Sequence, residues 1–187
     1  MKETTKAMKR RMHDEPGLWS AVFGGTGIDV GCGDDPLVIA AEFFDKKQGD
    51  ANKLDEYFAR NQFHFLHASH CLEHMDQPMN ALGRWHKIVK PGGYLVIVVP
   101  DWCLYEGMIW PSRYNPDHKS TWSLWLPDSP APNHVLVPEL RHFFWLYRWR
   151  LIDTNYNYKV GTLIDQTLDP NVEASIEFII KKERTRT

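Results

Sequence analysis

Gly27-Ile28-Asp29-Val30-Gly31-Cys32-Gly33-Asp34-Asp35 is the stretch on which the rest of this chain turns. An apolar run carries an acid at Asp29, and two glycines, Gly31 and Gly33, come directly after it. A first strand that delivers a tight, glycine-rich turn to a nucleotide-like ligand reads this way, because glycine tolerates positive φ and lets the backbone approach a ligand closely. Gly-x-Gly turns also arise without any ligand, so the stretch gains its weight from the motifs downstream of it.

Upstream, Lys2 to about Asp14 reads as a polar helix broken at Pro16-Gly17, and Leu18, Trp19, Ala21, Val22 and Phe23 supply apolar surface before the first strand. Downstream, Val38–Phe44 suits a buried strand ending at Asp45, and Ala51–Asn61 has helical spacing. Phe63–Ser69 is the next strand. Gln77–Val89 predicts a helix with Met79, Leu82 and Trp85 on one face, Pro91-Gly92-Gly93 a turn, and Tyr94–Val99 a strand buried on both faces. Val137–Tyr147 predicts a helix. Trp149–Asn157 and Ala174–Ile180 are final strands joined by a long polar connection. The alternation predicts one α/β domain over residues 1–187, with a helical segment over 1–22 and helices on both faces of the sheet. Ligands in such sheets bind at the carboxyl ends of the strands. The Asp29–Asp35 turn, Asp45, Ser69-His70 and Pro100-Asp101 all fall at such ends.

At 187 residues and 43% hydrophobic, the chain is long enough to bury one core. A net charge of −2 offers no electrostatic case for a nucleic-acid partner. Cys32, Cys71 and Cys103 are widely spaced and odd in number, so neither a disulfide framework nor a zinc knuckle is expected, and a reducing cytoplasm fits best. No signal peptide is expected, and no apolar run approaches the roughly 20 residues of a membrane span. Oligomeric state is left open.

Taken in order, the glycine turn, Gly49-Asp50-Ala51, His67-Ala-Ser-His-Cys-Leu-Glu-His74 and Lys90-Pro-Gly-Gly93 before a buried strand resemble the class I S-adenosylmethionine-dependent methyltransferases of the "methyltransferase domain 11" kind. The resemblance covers about residues 24 to 101 well and the final elements more loosely. It implies a Rossmann-like fold, a mostly parallel sheet with an antiparallel last strand, and S-adenosylmethionine as cofactor. It further implies that Asp29 orients the glycine turn, and that Gly31, Cys32 and Gly33 lie against the methionine part. Asp45, with Lys46 beside it, would take the ribose hydroxyls. Asp50 and Ala51 would take the adenine, with a helix N-cap as the competing role for Asp50. Ser69 and His70 would lie near the transferable methyl.

The chain also departs from that family. Asp35 stands where a third glycine is expected, and only about a dozen residues separate Gly33 from Asp45, where a full helix is usual. The first βα units should therefore be reduced. No metal is expected, although His70-Cys-Leu-Glu73-His74 matches the H-x-x-E-H pattern of a zinc peptidase class. That chemistry needs both histidines on one face of a regular helix.

Residues 101–135 are rich in Trp, Tyr, Pro and Asp, and a loop this long is usually functional. Trp102, Tyr105, Trp110, Tyr114, Trp122 and Trp125 suit a pocket that stacks on a ring, or else anchor the loop to the domain. The expected activity is O-methylation of a small-molecule or glycan-like acceptor. His118 is the first candidate base, with Asp117 or Asp101 orienting it, and His70 the second. A partner subunit that binds the cofactor without catalysis is the alternative.

Overall fold

The computed structural model describes residues 3–40, 42–153 and 173–184. Helices α1 (Glu3–Asp14) and α2 (Pro16–Val22) precede β1 (Gly27–Val30) and β2 (Glu42–Phe44). The short α3 (Leu54–Tyr57), β3 (Phe63–Ser69), α4 (Pro78–Ile88) and β4 (Val89–Pro100) come next. After a long connection holding β5 (Thr121–Ser123) and β6 (His134–Leu136) come β7 (Leu146–Asp153) and β8 (Ala174–Lys181). The main sheet runs β2-β1-β3-β4-β8-β7. β2, β1, β3 and β4 are parallel to one another, and β8 is antiparallel to both of its neighbours. The mostly parallel sheet with an antiparallel last strand is thus the one the sequence implies.

The strand pleat sorts side chains between two faces. Ile28, Val30, Leu66, Ala68, Leu95, Ile97, Ile176 and Phe178 pack with Ala81, Leu82, Trp85 and Ile88 of α4 in the larger core. On the other face Phe65, Val96 and Ile179 pack with Trp19, Val22 and Phe23 of α2 and the turn after it. That second face also carries polar residues, and α1 covers them. Arg11 is fully buried there, its Nε donating to Glu177 Oε2 at 2.7 Å and its Nη1 lying 3.2 Å from His67 Nε2. His67 Nδ1 in turn meets Asp29 Oδ1 at 2.7 Å. Asp35 has its own place in this arrangement. Its carboxylate accepts the Thr5 backbone N–H at 2.8 Å and the Thr5 hydroxyl at 2.5 Å. It serves an unpaired first-turn amide of α1, so the residue in place of the third glycine fastens the N-terminal helix.

Several sequence expectations change. Only Glu42–Phe44 of the expected 38–44 strand pairs with β1. Leu37 N donates to Asp29 Oδ2 at 2.6 Å, which pulls the chain into a turn where a strand would begin, and Ala41 lies outside the described residues. The 51–61 helix shrinks to a 3-10 turn over Ala51–Lys53 and the single turn of α3, since Phe58 is extended. Pro91-Gly92-Gly93 falls within the bounds of β4, as an excursion between Val89, opposite Phe63, and Tyr94, opposite Phe65. The expected 137–147 helix is a 3-10 segment over Val137–His142, and β7 starts at Leu146. There Trp145, Tyr147 and Trp149 are exposed at every second residue, the period of a strand and not of a helix. Residues 154–157 of the expected penultimate strand, and the polar connection after it, lie outside the described residues. No helix among the described residues is long and apolar enough to cross a membrane.

Candidate active site

β1 lies between β2 and β3, so the chain reverses its direction of travel across the sheet there. Such a switch point opens a crevice at the carboxyl ends of the strands. A cavity of about 730 Å³ occupies it, bordered by Gly31 after β1, Asp45 and Lys46 after β2, Asp50, Ala51 and Asn52 in the next turn, and His70 after β3. Gly49, Cys71, His74, Met75, Asp117 and Lys119 complete the wall.

Local chemistry explains the shape. Gly31 has φ +73° and Gly33 φ +50°, in the left-handed region that favours glycine. A Cβ on Gly31 would meet the Cys71 side chain at 2.5 Å, so glycine lets the turn after β1 close against the turn after β3. Asp29 does not reach the cavity. It accepts from Leu37 N and His67, which ties the glycine turn shut from behind. Asp45 Oδ1 accepts the Lys46 amide at 2.7 Å, and Asp50 Oδ1 accepts the Asn52 backbone and side-chain N–H at 2.9 and 2.8 Å. The Asn52 bonds hold the Asp50 carboxyl below the usual carboxylate range. The N-cap role of Asp50 is therefore real and leaves the residue on the cavity wall. Burial pushes the Cys71 thiol well up, so this wall residue is a small apolar surface and not a nucleophile.

At the other end of the cavity His70 stands at φ +53°. Its Nε2 lies 3.2 Å from Ser175 Oγ and its Nδ1 3.6 Å from Glu73 Oε1. Burial lowers the His70 pKa, but the Glu73 carboxylate outweighs it and holds the imidazole above its ordinary value. Glu73 is fully buried. Burial raises its pKa, and His70, then His74 and His118, pull it below the usual range.

His118 is buried, with Nδ1 2.6 Å from Glu106 Oε1, and does not border the cavity. Its carboxylate partner is Glu106, not the expected Asp117 or Asp101. Asp101 Oδ1 accepts the Cys103 and Leu104 amides at 2.9 Å each and so closes the turn after β4. Asp117 is exposed on the cavity wall, and its carbonyl accepts from His74 Nδ1 at 3.2 Å. Cys32, Gly33 and Ser69 do not border the cavity either. The aromatic rings of residues 101–135 face inward or away from it. Trp122 stacks on Phe178 at 5.8 Å, Tyr105 packs on Tyr114 and His118, and Trp125 is exposed. From this segment only Asp117 and Lys119 reach the wall, with Lys119 Nζ hydrogen-bonded to Asp76. Sequence reasoning missed Glu106 as the partner of His118, since twelve residues of irregular loop separate them. It missed Gly49, Asn52, Met75 and Lys119 as wall residues, which only chain neighbourhood to the expected site residues would have suggested.

A family model described as a methyltransferase domain matches residues 8–153. The chain belongs to that family. Its cofactor is S-adenosylmethionine. This methyltransferase domain is similar in fold to an S-adenosylmethionine-dependent methyltransferase from Archaeoglobus fulgidus, at 15% identity over 97% of this chain and 95% of that one, with a TM-score of 0.58. A methyltransferase from Thermotoga maritima aligns at 14% identity over 98% and 100% of the two chains, with a TM-score of 0.55. A [4+2]-cyclase, SpnF, aligns at 15% identity over 86% and 75%, with a TM-score of 0.51. No curated protein matches the chain. The wall residues fit the cofactor: the volume suits a ligand of its size, and acids at Asp45 and Asp50 present acceptors to hydroxyl and amino groups.

Proposed function

We propose that this methyltransferase domain methylates a hydroxyl of a small or glycan-like acceptor, and that it works in a reducing cytoplasmic setting, in keeping with its three free cysteines. Asp45, with Lys46, takes the ribose hydroxyls, and Asp50 and Ala51 the adenine. Gly31 lies against the methionine part, in a turn completed by Cys32 and Gly33 and held by Asp29. When bound, S-adenosylmethionine supplies an electrophilic methyl carbon, so the protein's task is chiefly alignment. His70 orients the acceptor hydroxyl and receives its proton. It takes that role over from His118 because it borders the cavity and His118 does not. One observation carries this assignment: Gly31, Asp45 and His70, from three separate strand ends, meet with Asp50 on one cavity at the switch point.

Titration of the full chain with S-adenosylhomocysteine tests it. Stoichiometric micromolar binding is expected, weakened by about 1–3 kcal/mol in Asp45→Ala. His70→Ala should keep that affinity and lose roughly 100-fold in turnover with a competent acceptor. Unchanged affinity in Asp45→Ala removes the ribose assignment, and no binding removes the whole proposal. A cofactor-binding subunit without catalysis is supported by the absence of Trp, Tyr and Phe from the cavity wall among the described residues. It predicts the same binding with no methyl consumed.

A further inference from the structure

Beside the cavity, Glu73, His74 and His118 bring ligand atoms within 4.8 Å of one another. The Nε2 atoms of His74 and His118 each lie 3.9 Å from Glu73 Oε1. That is too far for a hydrogen bond, and neither Glu73 oxygen has a hydrogen-bond partner among the described residues although the side chain is fully buried. A buried carboxylate without a hydrogen bond is costly and is rare in native structures.

The two imidazoles are set from behind. His74 Nδ1 is 3.2 Å from the Asp117 carbonyl, which can only accept, so Nδ1 carries the proton. His118 Nδ1 meets Glu106 Oε1 at 2.6 Å, and Glu106 is itself buried. With both protons on Nδ1, two Nε2 lone pairs and a carboxylate oxygen converge on one point. Three acceptors facing one another repel; the His70 imidazole, 3.6 Å from the same Glu73 oxygen, offsets the carboxylate from one side, and a cation between the three ligand atoms relieves the remaining repulsion. An imidazole whose far nitrogen donates to a carboxylate or a carbonyl is the usual arrangement behind a metal-bound histidine.

We propose that Glu73, His74 and His118 bind one divalent transition cation, zinc before others, with Glu106 and the Asp117 carbonyl positioning the two histidines. Two histidines and a glutamate form a known donor set for zinc with a position left open. Bonds of about 2.0–2.2 Å put neighbouring ligand atoms of a four-coordinate ion about 3.3–3.6 Å apart, so each histidine must close on Glu73 from 3.9 Å by a few tenths of an ångström, and the two histidines, whose ligand atoms lie within 4.8 Å, on each other by up to about 1.5 Å. His74 borders the cavity, so the open position gives onto it. The H-x-x-E-H pattern is thus used in part and with a different third ligand. Leu72–His74 is a 3-10 turn and His70 has left-handed backbone, so His70 and His74 do not share a helical face, and His118 from the long loop takes the remaining place.

The test is metal analysis of the full chain purified without a histidine tag, and then zinc titration against a chromophoric chelator. One equivalent of zinc is expected. His74→Ala and His118→Ala should each weaken binding by about 100-fold or more, Glu106→Gln by about 10-fold, and His64→Ala, a histidine at the far end of β3, not at all. Cobalt loading should give d–d absorption that His74→Ala abolishes. Circular dichroism of each variant separates lost ligation from lost fold, and Glu73→Gln, which keeps the side-chain volume, provides a second ligand variant. Less than a tenth of an equivalent bound at saturating zinc, or zinc held equally by the parent and by folded His74→Ala and Glu73→Gln, would overturn the site. Binding of S-adenosylhomocysteine is measured separately on chelated protein, so failure of the metal site and failure of the cofactor site give different results.

Discussion

Glu177 and Glu73 are both buried carboxylates, and they are treated in opposite ways. Glu177 lies under α1, where Arg11 Nε reaches one of its oxygens at 2.7 Å and Arg150 Nε the other at 2.9 Å, with Arg10 3.7 Å away. Glu73 lies at the end of the cavity, with three histidines at 3.6 to 3.9 Å and no hydrogen bond. Burial penalises the ionised form of both, and arginines in the one case and histidines, His70 first, in the other reverse that penalty, taking Glu177 down to about 2. The difference is in hydrogen bonding. A buried charge met by rigid guanidinium donors is a fastener, and here it joins α1 to β7 and β8. A buried charge with imidazoles around it, none of them within hydrogen-bond distance, lacks that fastening, and it is the carboxylate at which we place the cation.

The largest expected effect comes from breaking the fastener. Glu177→Gln leaves Arg11 buried without its counter-charge and should cost about 3–5 kcal/mol in denaturant unfolding. A loss under about 1 kcal/mol would mean that α1 is held by apolar contacts alone. Acid should do the same work reversibly. The folded value of Glu177 is depressed from 4.5 to about 2, so its contribution is complete above pH 4.5 and is lost as pH falls from there towards 2. The parent should lose roughly 3 kcal/mol across that window. Glu177→Gln should show a correspondingly flatter profile, and equal slopes in the two proteins would contradict the assignment. The smallest effect sharpens the comparison from the other side. Glu73→Gln in metal-free protein removes no hydrogen bond but does remove the charge that attracts His70, and should cost about 1 kcal/mol, well short of Glu177→Gln. A loss as large as that of Glu177→Gln would make both carboxylates structural.

Much of this was legible along the chain. Phe63–Ser69 and Tyr94–Val99 are strands because their apolar runs suit burial on both faces, and α4 forms because its apolar residues make one stripe. The glycine turn and the strand ends set the cavity position, which is why Gly31, Asp45, Lys46, Asp50, Ala51 and His70 all border it. These are local signals, written within a few residues. Two of the segments that changed did so where a contact outside the local period set the conformation. The chain turns at Leu37, which Asp29 holds, so β2 begins only at Glu42, and Trp145, Tyr147 and Trp149 alternate up to and along the edge strand β7 in place of a helix.

By itself, then, the sequence determined the sheet's central strands, the switch-point crevice and the methyltransferase family, since period and glycine spacing depend only on near neighbours. Tertiary structure alone decided who faces whom: Glu106 behind His118, Thr5 on Asp35, Arg11 on Glu177, the loop rings turned into the core, and His118 beside Glu73 across forty-five residues of chain. Those pairings are between side chains far apart in sequence. They are chosen by which charges and donors burial forces together, and no local pattern records that choice.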